Sequence, residues 1–169
     1  MAYDQHIHDA AGETARCAVI TLSDTRTEAT DKSGRRVREL LEGAGHSTAH
    51  YQLLSDDPAA LEPVLRDLLA RAGVDVVLTN GGTGISRRDQ TVGVVERLIE
   101  RPLPGFGELF RMLSWEQVGS GAMLSRAAGG IAAGGKLVFA MPGSTAAVEL
   151  AMTKLILPEL KHLLRELHK

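Results

Sequence analysis

The fold class of this 169-residue chain follows from one run, Val74-Asp75-Val76-Val77-Leu78-Thr79-Asn80-Gly81-Gly82-Thr83-Gly84. Its first five residues are mostly β-branched, which predicts a buried strand of a parallel sheet. Three of its last four residues are glycines, which predict a tight turn where that strand ends. In open α/β sheets this carboxyl end is the edge at which ligands bind. The run therefore predicts a strand that carries a glycine loop to a binding edge.

The glycine loop has the composition of an anion site. Gly81, Gly82 and Gly84 have no Cβ atom to keep a ligand away, so successive backbone N–H groups can point at phosphate oxygens. Thr83 adds a hydroxyl, and the basic residue Arg88 follows. The loop has neither the lysine of a Walker A motif nor the glycine spacing of a dinucleotide fold. Glycines alone are also typical of a plain strand-to-helix turn, but the charged residues beside them favour a phosphate site.

Two carboxylates near this loop indicate a metal-assisted reaction of phosphates. Asp89 follows the loop, and Asp56 follows another predicted strand. Mg²⁺ in proteins is usually held by one or two carboxylates together with substrate phosphates and water. A helix cap is the alternative role for Asp89, shared with Thr91. We expect Asp57 to cap the helix that follows it, which leaves Asp56 free for a metal or for catalysis.

Strands and helices alternate along the chain. Apolar runs predict strands near residues 17–22, 49–54, 74–78 and 136–141. Periodicity and caps predict helices after Ser33, from Pro58, after Thr91, at 106–113, at 145–155 and from Pro158. Residues 26–32 are nearly all polar, which predicts a mobile loop. The alternation predicts a three-layer, doubly wound α/β fold with a mainly parallel sheet.

Four polar segments end at the same edge if the predicted strands are parallel. They are Ser23, Asp56, the glycine loop and the turn Pro142-Gly143-Ser144. Because these segments lie far apart in sequence, their convergence is itself the argument for a site.

Composition limits the class of protein. With 44% hydrophobic residues and no linker, we expect one domain at residues 16–169 after a disordered segment at 1–15. The formal net charge of −2 gives no electrostatic footprint for nucleic acid. The single Cys17 is expected to be a reduced core thiol. No apolar stretch approaches the length of a membrane span, so we expect a soluble cytoplasmic protein without a membrane partner.

Five motifs occur in an order that resembles a known family. They are Thr79-Asn80-Gly81-Gly82-Thr83-Gly84, Arg88-Asp89, Pro104-Gly105-Phe106-Gly107-Glu108, Leu124-Ser125-Arg126 and Met141-Pro142-Gly143-Ser144-Thr145. Together they resemble the MogA/MoaB family of molybdopterin adenylyltransferases, over nearly the whole chain from residue 16 onward. The run Phe110-Arg111-Met112-Leu113-Ser114 is most similar to the MoaB branch.

The resemblance implies a doubly wound α/β domain and a role in molybdenum cofactor biosynthesis. The implied activity is Mg²⁺-dependent transfer of AMP from ATP to the terminal phosphate of molybdopterin, with release of pyrophosphate. The adenylylated product would pass to a downstream metal-insertion protein. The resemblance also implies a homo-oligomer, a trimer or a hexamer.

The resemblance also implies roles for particular residues. The loop from Gly81 to Gly84 would hold phosphate, and Asp56 and Asp89 would position the metal or act in catalysis. Arg88 or Arg126 would offset phosphate charge. The family positions that line the pterin or nucleotide pocket correspond to Ser23, Ser114 and Ser125. The turn Pro142-Gly143-Ser144 stands where catalytic relatives often have Pro-Gly-Asn-Pro, which leaves the ligand contact at Ser144 open.

Other readings accompany these. A non-catalytic molybdopterin-binding or assembly protein would keep the fold and pocket without turnover. A nucleotide pyrophosphatase, as in competence-damage proteins, is a third possibility that the short single domain disfavours. Ser33 is expected to be a helix cap, and His46 with His50 is not expected to form a zinc site. The apolar face of the last helix fits an interface or the core equally well.

Overall fold

The computed structural model describes residue 10 and residues 12–169 of the chain. Six strands form one sheet. The strands are β1 (Arg16–Leu22), β2 (Ser47–Leu54), β3 (Val76–Asn80), β4 (Ile99–Pro102), β5 (Ala128–Ala132) and β6 (Lys136–Met141). The helices are α1 (Lys32–Gly43), α2 (Pro58–Ala70), α3 (Thr91–Leu98), α4 (Pro104–Val118), α5 (Thr145–Ala151) and α6 (Leu157–Leu167), with a 3₁₀ helix at Gly119–Leu124.

The sheet has the strand order β2-β1-β3-β6-β5-β4. The first four strands are parallel, with Ile20 paired to Thr79 and Asn80 to Met141. Strands β5 and β4 add an antiparallel edge. The prediction of a mainly parallel sheet is therefore confirmed, and the predicted strand at 74–78 lies two residues further along the chain.

Two hydrophobic clusters cover the two faces of the sheet. One contains Val19 and Leu78 with apolar residues of α1, α4, α5 and α6. The other contains Ile20 and Val77 with apolar residues of α2 and α3. Successive side chains of a strand point to opposite faces, so each central strand contributes to both clusters. This arrangement confirms the three-layer fold.

The antiparallel edge is the part of the sheet that the sequence did not predict. Strand β5 includes Gly129 and Gly130, which are poor strand residues. A Cβ atom at Gly129 would lie 2.5 Å from the ring of Phe139, and one at Gly130 would lie 2.6 Å from Ile99. The strand is therefore built from small residues because its neighbours pack directly onto the backbone.

The predicted mobile loop is built from hydrogen-bonded turns and ends at a buried aspartate. The Asp31 carboxylate is fully buried and caps α1 by accepting from the Gly34 N–H at 3.0 Å. The prediction that Ser33 caps this helix is therefore wrong. Asp31 also accepts from the Tyr51 hydroxyl at 2.8 Å, a contact that the local sequence does not reveal.

The last two predicted helices are one continuous helical segment. A π-helical stretch at Met152–Ile156 joins α5 to α6, and Pro158 lies in the first turn after it. Proline has no N–H to donate, and the wider turn accommodates it. Leu160 and Leu164 of α6 are buried in the first cluster, so core packing explains the apolar face of this helix.

Helix α4 presents an apolar face to solvent. It is longer than the predicted helix at 106–113, and its outer side continues onto the 3₁₀ helix. We name this surface the α4 apolar face; its exposed residues are Leu109, Met112, Trp115, Val118, Met123 and Leu124. An exposed cluster of this kind is typical of an interaction site.

Most of the predicted disordered segment 1–15 lies outside the described residues. In its described part, the Ala15 N–H donates to Nδ1 of His46 at 3.0 Å. His46 is buried, and burial followed by the charge of Lys161 lowers its pKa. No helix of the described chain is both long and apolar enough to cross a bilayer.

Candidate functional site

The carboxyl ends of the four parallel strands meet at one edge, as the sequence predicts. The Ser23 N–H after β1 donates to the Leu54 carbonyl of β2 at 2.9 Å. The Gly81 N–H after β3 donates to the Met141 carbonyl of β6 at 3.0 Å. Ser23, the glycine loop and the turn that starts at Pro142 therefore leave the sheet side by side.

The first two glycines of the loop lie where no other residue fits. Gly81 has φ +102°, and a Cβ atom there would lie 2.2 Å from the Leu22 carbonyl oxygen. Gly82 has φ +61°, a left-handed conformation that costs other residues about 1–2 kcal/mol. Thr83 between the glycines is buried. The loop is thus held against the end of β1 by close backbone contact.

Two carboxylates lie against the loop, one at each of its later glycines. Oδ1 of Asp56 lies 2.4 Å from the point that a Cβ atom on Gly82 would occupy. Oδ2 of Asp89 lies 2.7 Å from the corresponding point on Gly84. The structure therefore brings together the two carboxylates that the sequence singled out.

Asp89 is held by hydrogen bonds that favour its charged form. Its Oδ2 accepts from the Ser86 N–H at 2.9 Å. The pKa of Asp89 is lowered, chiefly by hydrogen bonding from the Ser86 side chain and also by backbone N–H groups and the charge of Arg126. Helix α3 begins after Gln90, and no side chain caps it. The alternative role of Asp89 or Thr91 as a helix cap is therefore wrong.

Asp56 is less favourably placed for a negative charge than Asp89. Burial raises its pKa, and the charges of Asp89 and Asp24 raise it further, while Arg88 acts in the opposite direction. The neighbouring Asp57 caps α2 by accepting from the Ala59 N–H at 2.9 Å, as predicted. Asp56 is therefore left available for a cation.

Basic side chains brace this end of the loop. Arg126 donates to the carbonyl oxygens of Gly84 and Asp89, each at 3.1 Å. Arg88 forms an ion pair with Asp24, whose Oδ1 also accepts from the Asp56 N–H at 3.1 Å. Asp24 is a site residue that the sequence analysis missed. Its position directly after Ser23 was the available signal.

A buried polar network fixes the start of the loop. The side-chain amide of Asn80 donates to Thr21 Oγ1 at 3.0 Å, and its oxygen accepts from Ser33 Oγ at 2.8 Å. Ser33 Oγ also lies 3.2 Å from Oδ1 of Asp31 and accepts from Arg26 at 2.6 Å. Asn80 therefore holds β3 to the α1 terminus, and Ser33 is a network residue instead of a cap.

The turn after β6 has two distinct roles. Ser144 Oγ accepts from the Ala147 N–H at 3.1 Å and caps α5, so this hydroxyl already has a structural partner. A Cβ atom on Gly143 would lie 3.0 Å from the Cα of Gly81, so the two loops touch. Pro142 starts the turn and sets its direction. Gly143 therefore lies beside the glycine loop, whereas the Ser144 side chain is engaged in capping α5.

The three predicted serines are placed differently. Ser23 Oγ accepts from the backbone of Thr25 and of Arg26 at 3.3 and 3.2 Å, so it shapes the turn after β1. Ser114 is buried on α4, and Ser125 follows the 3₁₀ helix. Within the described chain, no hydrogen bond connects Ser114 or Ser125 to the glycine loop. Ser125 directly precedes Arg126, whose side chain does contact the glycine loop.

The donor set fits Mg²⁺ better than a metal held by protein alone. Among the residues that the structure describes, no group of three or more His, Cys, Asp or Glu side chains is arranged to hold a metal ion. Asp56 and Asp89 supply oxygen ligands only, and both lie against the glycine loop. Mg²⁺ normally completes such a partial set with phosphate oxygens and water.

Comparison with known proteins matches most of the chain to one family. A family model described as "Probable molybdopterin binding domain" matches residues 18–162. The chain is 52% identical over 170 residues to molybdenum cofactor biosynthesis protein B of Bacillus anthracis, covering all of this chain and 99% of that protein.

Solved structures of similar sequence share this fold. A crystal structure of molybdenum cofactor biosynthesis protein B is 54% identical, with a TM-score of 0.89 over 92% of this chain and 97% of that one. The tungsten cofactor synthesizing protein MoaB from Pyrococcus furiosus is 36% identical, with a TM-score of 0.83 over 93% of this chain and 99% of that one. The chain belongs to the molybdenum cofactor biosynthesis protein B (MoaB) family.

Proposed function

We propose that this protein transfers AMP from ATP to molybdopterin in a Mg²⁺-dependent reaction. An oxygen of the terminal phosphate of molybdopterin would attack the α-phosphorus of ATP. The new bond joins that oxygen to the α-phosphorus, and the bond from the α-phosphorus to the bridging oxygen breaks. The products are adenylylated molybdopterin and pyrophosphate.

One observation carries the proposal: Asp56 and Asp89 lie against the glycine loop at the carboxyl edge of the sheet, one beside Gly82 and the other beside Gly84. An anion cradle alone would fit many binding proteins. Two carboxylates beside it are unfavourable for phosphate binding unless a cation lies between them, which is the arrangement of a metal-assisted nucleotidyl transferase.

Different residues would bind phosphate, hold the metal and support the loop. The loop from Gly81 to Gly84 would bind phosphate chiefly through the N–H groups of Gly82 and Thr83, because those of Gly81 and Gly84 already donate to Met141 and Asp89. Asp56 and Asp89 would hold Mg²⁺, which neutralises phosphate charge when it is bound. Arg126 would keep the loop in place through its two carbonyl contacts. Arg88, tied to Asp24, would add positive charge at the loop end.

Such a reaction needs little covalent help from the protein. Phosphoryl-type transfer is accelerated mainly by positioning the reactants and stabilising charge. The donors and carboxylates described above meet that need without a nucleophile or a general base from the protein.

The proposal extends to assembly and partners. We propose that subunits associate into a trimer or a hexamer, with the α4 apolar face in the contact, because six large apolar residues are exposed there. The adenylylated product would be handed to the metal-insertion protein of the same pathway.

The direct test is pyrophosphate release by the intact chain under anaerobic conditions, with ATP and Mg²⁺ and with or without molybdopterin. Release that depends on molybdopterin supports the proposal. Molybdopterin binding without release would favour the non-catalytic binding protein. Release from a dinucleotide without pterin would favour the pyrophosphatase.

A further inference from the structure

The Arg26 side chain joins two of the segments that meet at the strand edge. Its Nη2 donates to the Gly143 carbonyl at 2.8 Å, and its Nη1 donates to Ser33 Oγ at 2.6 Å. Nη1 also lies 3.5 Å from Oδ1 of Asp31. These contacts fix the guanidinium between the turn after β6 and the terminus of α1.

Part of this guanidinium has no protein partner. A guanidinium carries five N–H donors. The contacts to Asp31, Ser33 and Gly143 occupy three of them. Within the described chain, Nε and the second hydrogen of Nη2 have no hydrogen-bond acceptor, and the side chain is 31% exposed. Arg26 therefore keeps two donors for a ligand.

The Arg26 guanidinium lies close to the glycine loop. A Cβ atom on Gly143 would lie 3.0 Å from the Cα of Gly81 and 3.9 Å from Nη1 of Arg26. Arg26 and Gly81, the first glycine of the loop, thus both lie against Gly143. Arg126 binds the other end, at Gly84. An anion held by the loop would have a guanidinium at each end.

Serving as the counter-charge of Asp31 would be a purely structural role for Arg26, but the Asp31 carboxylate has other partners that stabilise it. The Asp31 carboxylate is buried, yet its pKa is lowered, because the opposing effect of burial is outweighed by hydrogen bonds from Thr21, Gly34, Tyr51 and Ser33. Those neutral donors already stabilise the charged form. The closest contact to Arg26 is a long one.

We propose that Arg26 is a phosphate-binding residue of this site, with its free donors directed at a phosphoryl group held by the glycine loop. Guanidinium groups are well suited to phosphate, since they donate paired, charge-assisted hydrogen bonds. The identity of that group as a phosphate of ATP or of molybdopterin rests on the proposed function.

Binding of inorganic triphosphate tests this without turnover. Isothermal titration with the full chain compares the wild type, Arg26→Ala and Arg26→Lys. We expect Arg26→Ala to bind triphosphate about tenfold more weakly or worse, which is the loss typical of a charge-assisted hydrogen bond. Arg26→Lys, which keeps the charge but not the paired donors, should be intermediate.

The matched control is Arg36→Ala. Arg36 is 35% exposed and pairs with Glu149 and Glu39, so it resembles Arg26 in exposure and in having carboxylate partners. It lies on α1 and should leave triphosphate binding unchanged. Equal affinities for the wild type and Arg26→Ala, or no triphosphate binding by the wild type, would overturn the proposal.

A second variant separates binding from folding. If Arg26→Ala is unstable because Asp31 loses a counter-charge, Arg26→Ala combined with Asp31→Asn removes that charge and keeps a good cap residue. We expect the double variant to recover its melting temperature but not its affinity for triphosphate. Recovery of both would show that Arg26 serves only Asp31 and would contradict the proposal.

Kinetics then identify the source of the phosphate. An increased KM for ATP in Arg26→Lys assigns the residue to the nucleotide, and an increased KM for molybdopterin assigns it to the pterin phosphate. If no variant or wild type releases pyrophosphate, the proposed function fails, whereas the triphosphate titration still decides the role of Arg26.

Discussion

Asp56 and Gly82 touch across the strand edge, with Oδ1 of the acid only 2.4 Å from where a Cβ atom on the glycine would be. The contact joins the end of β2 to the loop after β3. It places a partly buried carboxylate against backbone that is suited to binding anions. The two features conflict unless a cation lies between acid and ligand, which is why this contact is central to the proposed reaction.

Replacing Gly82 tests that closeness. In Gly82→Ala the new methyl group would collide with Thr91 Oγ1 at 2.2 Å and with Asp56, at a position that already has positive φ. We expect a loss of about 2–4 kcal/mol of unfolding free energy from strain and collision, and loss of transfer activity. Urea unfolding and pyrophosphate release provide the measurements.

Gly45→Ala is the control for backbone strain alone. Gly45 has φ +83°, but a Cβ atom there meets nothing within 4 Å. Gly45→Ala should lose about 1 kcal/mol of unfolding free energy and remain active. If Gly82→Ala lost no more stability than Gly45→Ala and stayed active, the close contact would have no importance.

The raised pKa of Asp56 predicts that this acid destabilises the folded protein. Its causes are burial, then the charges of Asp89 and Asp24. A carboxyl group with a higher pKa in the folded state contributes stability below its unfolded pKa and loses that contribution as pH rises through the folded value. Asp56→Asn should therefore melt at a higher temperature than the wild type at pH 7.

Calorimetry across pH checks the sign. The advantage of Asp56→Asn should shrink as the pH falls and vanish near pH 4, about the ordinary pKa of an aspartate. Added Mg²⁺ should stabilise the wild type more than the variant. A variant that melts below the wild type at pH 7 would show that Asp56 has a stabilising partner instead.

Replacing Asp31 should cost more unfolding free energy than replacing an ordinary helix cap. Its carboxylate caps α1 and is also bonded to Tyr51 inside the protein. Asp31→Ala should lose about 3 kcal/mol, the sum of a cap and an unsatisfied buried partner. The exposed cap Asp57→Ala should lose about 1 kcal/mol. Similar unfolding free energies for the two variants would contradict the account of the network.

The α4 apolar face predicts an association surface. Replacing Met112 and Trp115 with glutamate places charges on residues that are 57% and 62% exposed, so the folded subunit should tolerate them. Sedimentation velocity should show an oligomer for the wild type and a particle near 18.1 kDa for the double variant. Ala72→Glu, at an exposed site elsewhere, should remain oligomeric; an oligomeric double variant would exclude this face from the contact.

The sequence predicted the parallel half of the sheet because its strands are buried runs with distinct ends. Strands β1 and β6 are almost where the periodicity placed them. Strand β5 was missed because Gly129 and Gly130 make room for Phe139 and Ile99 on the neighbouring strands, a requirement that the local sequence does not show.

The same distinction holds for the site. Asp56 and Asp89 were identified because each follows a recognisable strand or loop in sequence. Asp31 and Arg26 were assigned to a mobile loop, since their partners Tyr51 and Gly143 are contributed by strand β2 and by the turn after β6. Polar residues that act through distant partners carry no local pattern, whereas those at strand ends do.

The measurement that tests the central claim most directly is kcat for molybdopterin-dependent pyrophosphate release, compared among the wild type, Asp56→Asn, Asp89→Asn and Asp57→Asn. Asp57 is next to Asp56 but caps α2, and asparagine caps equally well, so Asp57→Asn should keep its activity. If the two carboxylates hold the metal, Asp56→Asn and Asp89→Asn should each lose about 100-fold or more in kcat, the size seen when a group that stabilises transition-state charge is removed. Rates for both variants equal to that of Asp57→Asn would contradict this role.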